Sequence, residues 1–319
     1  MEGVATALES AAAEYTNAAV AIRSATAATG YVELPLLIDC AGETLAGVVS
    51  QPQPVAATAV ALDIGVVILV GGPQYRIGSH RQFVLLARHL ASRGYAVLRF
   101  DRSGMGDASG MPVPFDQAQA EISAAVAALR RAAPQVQRVV LWGLCDGASA
   151  GLLYWQQTRD PVIAGLAIVN PWVRSVATQA RTRVKHYYLK RLGQKEFWRK
   201  LFAGNVAGLQ AARELAGNVA SSVTLDHGGD NAASWRDAMA EALDQYPGDL
   251  LLILSGQDYT AREFLEWMQS VVRLRRFGTR AGLTRRDVPK ADHTFSAAVW
   301  RAEVERATLA WLDGIGARA

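Results

Sequence analysis

The chain has 319 residues, half of them hydrophobic and 19% charged, with a net charge of +4. That balance belongs to a folded globular protein, and it excludes a disordered or collagen-like chain. The length suits one α/β domain with an insertion, or two small domains. Two cysteines, Cys40 and Cys145, are too few for a disulfide framework.

The first thirty residues hold Glu2, Glu9 and Glu14, lack a basic start and are rich in alanine rather than leucine. No secretory signal is expected there, so a reducing cytoplasm is the expected compartment. The longest apolar stretch, residues 55–72, is broken by Thr58 and Asp63 and ends in glycines. It reads as a linker plus a buried strand, not as a transmembrane segment. Charge is unevenly spread. Residues 171–205 contain nine basic side chains (Arg174, Arg181, Arg183, Lys185, Lys190, Arg191, Lys195, Arg199 and Lys200) against Glu196 alone, a local +8 that leaves −4 for the rest. Two readings are open for this run: a surface for an acidic or phosphate-bearing partner, or a solvated helix face. It is not interleaved with a nucleic-acid recognition motif, so no nucleic-acid partner is expected.

In chain order, residues 1–29 read as an Ala-rich helical extension. Residues 31–39 and 45–50 flank Ala41-Gly42-Glu43 and predict a β-hairpin. Residues 65–70, GVVILV, are a short continuous apolar run, the pattern of a strand buried on both faces. Alternation follows: helix 83–93, strand 96–100, helix 115–132, strand 138–144, helix 146–157 and strand 163–170. After a gap come strand 250–254, helix 261–274, strand 283–288 and helix 295–315. Repeated β-α alternation predicts a mostly parallel sheet with helices on both faces. The gap, residues 171–248, is too long for a crossover loop. Its apolar residues fall at helical spacing, so it reads as a helical cap between two parts of one core, residues 30–170 and 249–319.

One short motif stands out. Trp142-Gly143-Leu144-Cys145-Asp146-Gly147 follows a predicted strand and opens a predicted helix. This is the setting of a nucleophile elbow, with cysteine in the place serine usually takes. A side chain on so sharp a turn is pushed out of the sheet, and the crowding demands small residues two positions to either side. The helix start behind the turn favours a thiolate, and the N–H of Asp146 is placed to hold an oxyanion.

A thiol nucleophile needs a base and an orienting acid, which in this topology follow later strands in the order nucleophile, acid, histidine. Asp258 comes after strand 250–254, and His293 after strand 283–288. His80 lies near the predicted cleft but before the elbow in the chain, and His89, His186 and His227 fall in a helix or in the cap. Asp292, adjacent to His293, is poorly placed to reach its ring. Gly71-Gly72-Pro73-Gln74 is the expected source of a second oxyanion donor. Pro73 has no N–H, so Gln74 is chosen. Arg76 and His80 in this loop, with Trp172 at the start of the cap, are candidates for binding substrate. The alternatives are helix capping for the loop residues and the cap's own core for Trp172. Asp101-Arg102-Ser103-Gly104-Met105-Gly106-Asp107 lacks the spacing of a dinucleotide loop and reads as a structural turn beside the cleft. There is no metal-ligand spacing, and no cofactor is expected.

These residues resemble the α/β-hydrolase fold over about residues 31–312. A narrower resemblance is to the exosortase A system-associated hydrolases, type 1. It is carried by GGPQYRIGSHRQF (71–83), LRFDRSGMGD (98–107), LWGLCDGASA (141–150) and ADHTF (291–295). It implies Cys145 as nucleophile, Asp258 as acid and His293 as base, and a gene context in exopolysaccharide export rather than a substrate. Two departures stand out. Residues 1–29 have no counterpart, and alanine is usual where Gly147 stands, a difference expected to change little chemically. The expected activity is hydrolysis of an ester or thioester through an acyl-cysteine, on a small-molecule or carrier-linked acyl substrate. The alternatives are an acyltransferase using the same triad and a non-catalytic module on the same fold.

Overall fold

The computed structural model describes residues 30–53, 62–72, 74–173 and 229–317. The N-terminal extension, Pro73, most of the cap and the nine basic residues of the charged run lie outside them. Eight strands form one sheet in the order β1-β2-β4-β3-β5-β6-β7-β8. β1 (Tyr31–Cys40) and β2 (Glu43–Pro52) are the predicted hairpin, turning at Ala41 and Gly42, which both have positive φ. β2 runs antiparallel to β4 (Ala96–Phe100). From β4 onward every pairing is parallel, through β3 (Ile64–Leu69), β5 (Arg138–Leu144), β6 (Ile163–Val169), β7 (Asp249–Ser255) and β8 (Leu283–Val288).

The central strands are buried on both sides because helices cover both faces. All six residues of β3 are buried, and they alternate between two cores. Val66 and Ile68 join α1 (Gln82–Ala91) and α6 (Ala298–Gly316) on one face. Val67 and Leu69 face the other core with α2 (Gln119–Ala132), α3 (Asp146–Thr158), α4 (Gly229–Gln245) and α5 (Tyr259–Ser270). The outermost strand β8 is exposed from Thr284 to Asp287 and presents Arg285, Arg286 and Asp287. Charge on an edge strand disfavours pairing with another chain. Among the described residues no helix is long and apolar enough to cross a membrane.

Several boundaries differ from the sequence reading, and three of them bear on the site. The cap was expected to occupy all of 171–248, but α4 packs on α3 and buries Met239, Ala240, Ala242, Leu243 and Tyr246 in the core. It is therefore a layer helix of the β6–β7 connection, and an apolar stripe alone does not tell a cap from a crossover. The helix expected from residue 261 starts at Tyr259, because the Asp258 side chain caps it. It stops at Ser270, and a 3-10 segment, Val272–Thr279, follows. The last helix begins at Ala298 rather than 295, because Asp292 accepts hydrogen bonds from the N–H groups of Thr294 and Ser296 and Phe295 has φ +51°.

The parallel strands point their C-terminal ends one way, and β3 has β4 on one side and β5 on the other. The chain order thus reverses at β3. In open α/β sheets the crevice for ligands lies at such a reversal, beyond the strand C-termini. The loops after β3, β5, β6, β7 and β8 all open there.

Candidate active site

Cys145 leaves β5 with φ 61° and ψ −127°, and α3 begins at the next residue. That region is costly for a side chain with a Cβ, by about 1–3 kcal/mol, and persists only where the surroundings over-determine it. Here they do. The Cys145 N–H donates to the carbonyl of Val169 at 2.9 Å, and its own carbonyl accepts from Ala148 at 3.1 Å and from Trp172 at 3.2 Å. The flanking glycines have no room for a side chain. A Cβ on Gly143 would sit 2.5 Å from the Ala148 nitrogen, and one on Gly147 would meet the carbonyl oxygen of Leu69. Alanine at 147, a small chemical change, is here a large steric one: its Cβ would press on the Leu69 backbone. Cys145 is half-buried, packed at the edge of the core shared by α1 and α6.

Asp258 caps α5 from the end of the β7 loop. Its two carboxylate oxygens accept from Thr260 N–H at 3.0 Å and Ala261 N–H at 3.2 Å. Oδ2 also meets Nδ1 of His293 at 2.8 Å. The acid loop and the histidine loop are laced together by backbone, Gly256 N–H to Val288 and Gln257 N–H to Ala291. The Cys145 side chain bears electrostatically on the same imidazole. Burial opposes a charged ring, but the bonds to Asp258 and Cys145 outweigh it and push the His293 pKa up to about 10. The structure thus joins His293 to Asp258, with Cys145 near enough to bear on the imidazole. Asp292 is used differently. It folds the turn after the histidine, and its hydrogen bonds with Ser296 hold its carboxyl below the usual range despite partial burial.

The loop after β3 is held at three points. Gly72 N–H donates to Asp146 Oδ1 at 2.5 Å. The Gln74 side-chain oxygen accepts from Ser79 N–H at 3.2 Å and from the Ser79 hydroxyl at 3.3 Å. Arg76 N–H donates to Asp101 Oδ1 at 2.6 Å. With the Gly72 amide taken and Pro73 lacking one, the backbone N–H of Gln74 is the next amide of this loop. Asp146 is also more than a backbone donor. Burial pushes its carboxyl upward, against the hydrogen bond from Gly72 and the charge of Arg102.

Arg76, expected to bind substrate, is engaged elsewhere. Its guanidinium pairs with the fully buried Asp101 and, at 2.6 Å, with Asp107. Asp101 takes the Asp107 N–H as well, at 2.9 Å. Arg102 pairs with Glu121 at 2.9 Å, both buried. Residues 101–107 are therefore a structural clamp on the β3 loop, as their spacing suggested. His80 is exposed, with φ 54°, and close enough to Asp292 for its charge to be felt there. Trp172 is half-buried, and its carbonyl accepts from the Ser149 hydroxyl at 2.6 Å. Among the described residues no three His, Cys, Asp or Glu side chains gather as a metal ion would require.

Sequence reasoning missed Asn170 and Ser255, which join the β6 and β7 ends to the histidine loop. The only local signal was a polar residue closing each apolar strand.

Solved structures resemble this chain at low identity. The Pyrococcus furiosus esterase Pf2001 superposes with a TM-score of 0.58 at 15% identity, over 89% of this chain and 93% of that one. Est1E from Butyrivibrio proteoclasticus, solved with ferulic acid bound, gives 0.58 at 16%, over 88% and 99%. XC6422 from Xanthomonas campestris, described as a serine hydrolase without lid, gives 0.52 at 15%, over 88% and 94%. These likenesses establish the fold. No curated protein matches the chain. The model of the alpha/beta hydrolase family matches residues 66–307, which include the elbow, the acid loop and the histidine loop, and the chain belongs to that family.

Proposed function

We propose that the protein hydrolyses a carboxylic ester or thioester through an acyl-cysteine intermediate. The observation that carries the reading is the 2.8 Å bond from Asp258 to Nδ1 of His293, with Cys145 bearing on the same imidazole from a strained turn that opens into the crevice. His293 takes the thiol proton and Asp258 holds the resulting imidazolium in place. The sulfur attacks the acyl carbon, and the N–H groups of Asp146 and Gln74 receive the oxyanion. One such donor is typically worth about 2.7–4 kcal/mol of barrier. His293 returns the proton to the departing alcohol or thiol, then activates a water that releases the acid and frees the sulfur. His80 and Trp172 are the side chains assigned to substrate contact. The description of Pf2001 as an esterase favours an ester as the first substrate to try. The narrower kinship to the exosortase A system-associated hydrolases rests on the four sequence strings and supplies no substrate.

The test is a panel of nitrophenyl esters and acyl thioesters of graded chain length, read by product release and by mass spectrometry of the protein. An acyl adduct on Cys145, absent in Cys145→Ala, is expected. Turnover without any adduct, and unchanged in Cys145→Ala, would overturn the reading. Adding amine, alcohol and thiol acceptors to the same assay separates hydrolysis from acyl transfer by the partition of product.

A further inference from the structure

Asn170 stands one residue beyond β6, is fully buried and has φ +44°. Asparagine tolerates this left-handed conformation better than most residues, because its short side chain bonds locally. Its carboxamide is fully used. Oδ1 accepts from the Ser255 N–H at 2.8 Å, and Nδ2 donates to the Ser255 hydroxyl at 2.9 Å and to the carbonyl of His293 at 3.1 Å. The Ser255 hydroxyl donates onward to the carbonyl of Asp292 at 2.8 Å. The Asn170 N–H donates to Ile253 in β7 at 3.0 Å. One buried amide therefore ties three strand ends together, and the two carbonyls it governs belong to the residues that present the imidazole.

Resting on the acyl-cysteine reading above, we propose that Asn170, with Ser255, is a positioning residue that sets His293 in register with both Asp258 and Cys145. Among the described residues, the β8 strand that delivers His293 is the sheet edge, paired on one side only. Its loop needs an anchor from the interior, and the sheet supplies it from two strands away. The titratable side chains bearing on the His293 ring are Asp258, from the β7–α5 junction, and Cys145, from the elbow. Asn170 touches neither substrate nor sulfur. It acts through the backbone of the histidine loop.

The experiment compares wild type with Asn170→Gly, which accepts the positive φ but removes the carboxamide, and with Ser255→Ala, which removes the relay to Asp292 and one acceptor of Asn170 Nδ2 but leaves the Asn170 bond to the His293 carbonyl. Asn170→Gly is expected to lower kcat about 10–100-fold with KM nearly unchanged, the size of loss that small misplacement of a reacting group produces. The His293 titration, followed by NMR, is expected to fall toward the ordinary histidine value, and the pH profile of Cys145 alkylation to move with it. Ser255→Ala is expected to shift both in the same direction by less. A lowered melting temperature with unchanged His293 titration and kcat in both variants would overturn the proposal. It would leave the acyl-cysteine reading intact, since that reading is judged on the Cys145 adduct in wild type. If Asn170→Gly does not fold, Ser255→Ala alone decides: an unmoved titration refutes the role.

Discussion

The two halves of the site are built in opposite ways. On the elbow side, Cys145 is held by backbone: a positive φ, carbonyl and amide bonds to Val169 and Trp172, and glycines with no space for a Cβ. On the acid–base side, His293 is held by side chains: the carboxylate of Asp258, the amide of Asn170, the hydroxyl of Ser255 and the turn made by Asp292. The difference follows from position in the sheet. β5 is central and paired on both sides, so its end is rigid in itself, whereas β8 is an edge whose loop has to be tied back to the interior.

Substitutions separate the two halves by what they change. The largest effect is expected from Cys145→Ala, a loss on the order of 10⁴–10⁶ in kcat, because removing a nucleophile abolishes the covalent route. Ester turnover and adduct mass read it, and activity within tenfold of wild type would sever the elbow from the chemistry. Asp258→Asn comes next, with kcat falling about 10³–10⁴-fold while the fold is kept, as expected when the imidazole loses its partner and tautomer. Single-turnover acylation is the measurement that isolates this step.

Gln74→Pro removes one backbone N–H and is expected to cost about 10²–10³-fold in kcat. Gln74→Ala keeps that N–H and forfeits only the tie to Ser79, so it serves as the control. Equal losses in the two variants would remove the donor role from Gln74. Gly147→Ala tests the elbow's packing rather than its chemistry. Its Cβ meets the backbone of Leu69, so a destabilisation of about 1–3 kcal/mol is expected in urea unfolding.

The smallest effect is on stability against pH. The His293 pKa is raised in the folded protein, so its charged form stabilises the fold. That contribution is complete below the unfolded value of 6.5 and is lost as pH rises through about 10. The difference in urea midpoint between wild type and Asp258→Asn should therefore narrow from pH 6 toward pH 10. A difference that grows in that direction would contradict the pairing.

The elbow was legible in the sequence because its causes are local. A strand pattern, two glycines and a helix start all lie within a dozen residues, and the crowding at such a turn follows from covalent geometry. The meeting of Asp258 with His293 was legible by order, since the parallel topology delivers successive strand ends to one crevice. Asn170 could not be read as an anchor, because a polar residue at a strand end is equally a solvated cap. The use of Arg76 was hidden for a similar reason. Its partners Asp101 and Asp107 come from another loop, and nothing in a basic residue's own neighbourhood tells an ion pair from a substrate contact.

Composition, alternation and motif spacing by themselves determined the α/β architecture, the turn that presents Cys145 and the placing of Asp258 and His293 after successive strands, because each depends on periodicity or on steric limits within one segment. What holds the Gly71–Gln74 loop, which carboxylate meets the imidazole, and what steadies the edge-strand loop were decided by the tertiary structure. Those outcomes turn on hydrogen bonds of about 3 Å between residues far apart in the chain, and only the packed sheet fixes which of several chemically equal partners comes within that reach.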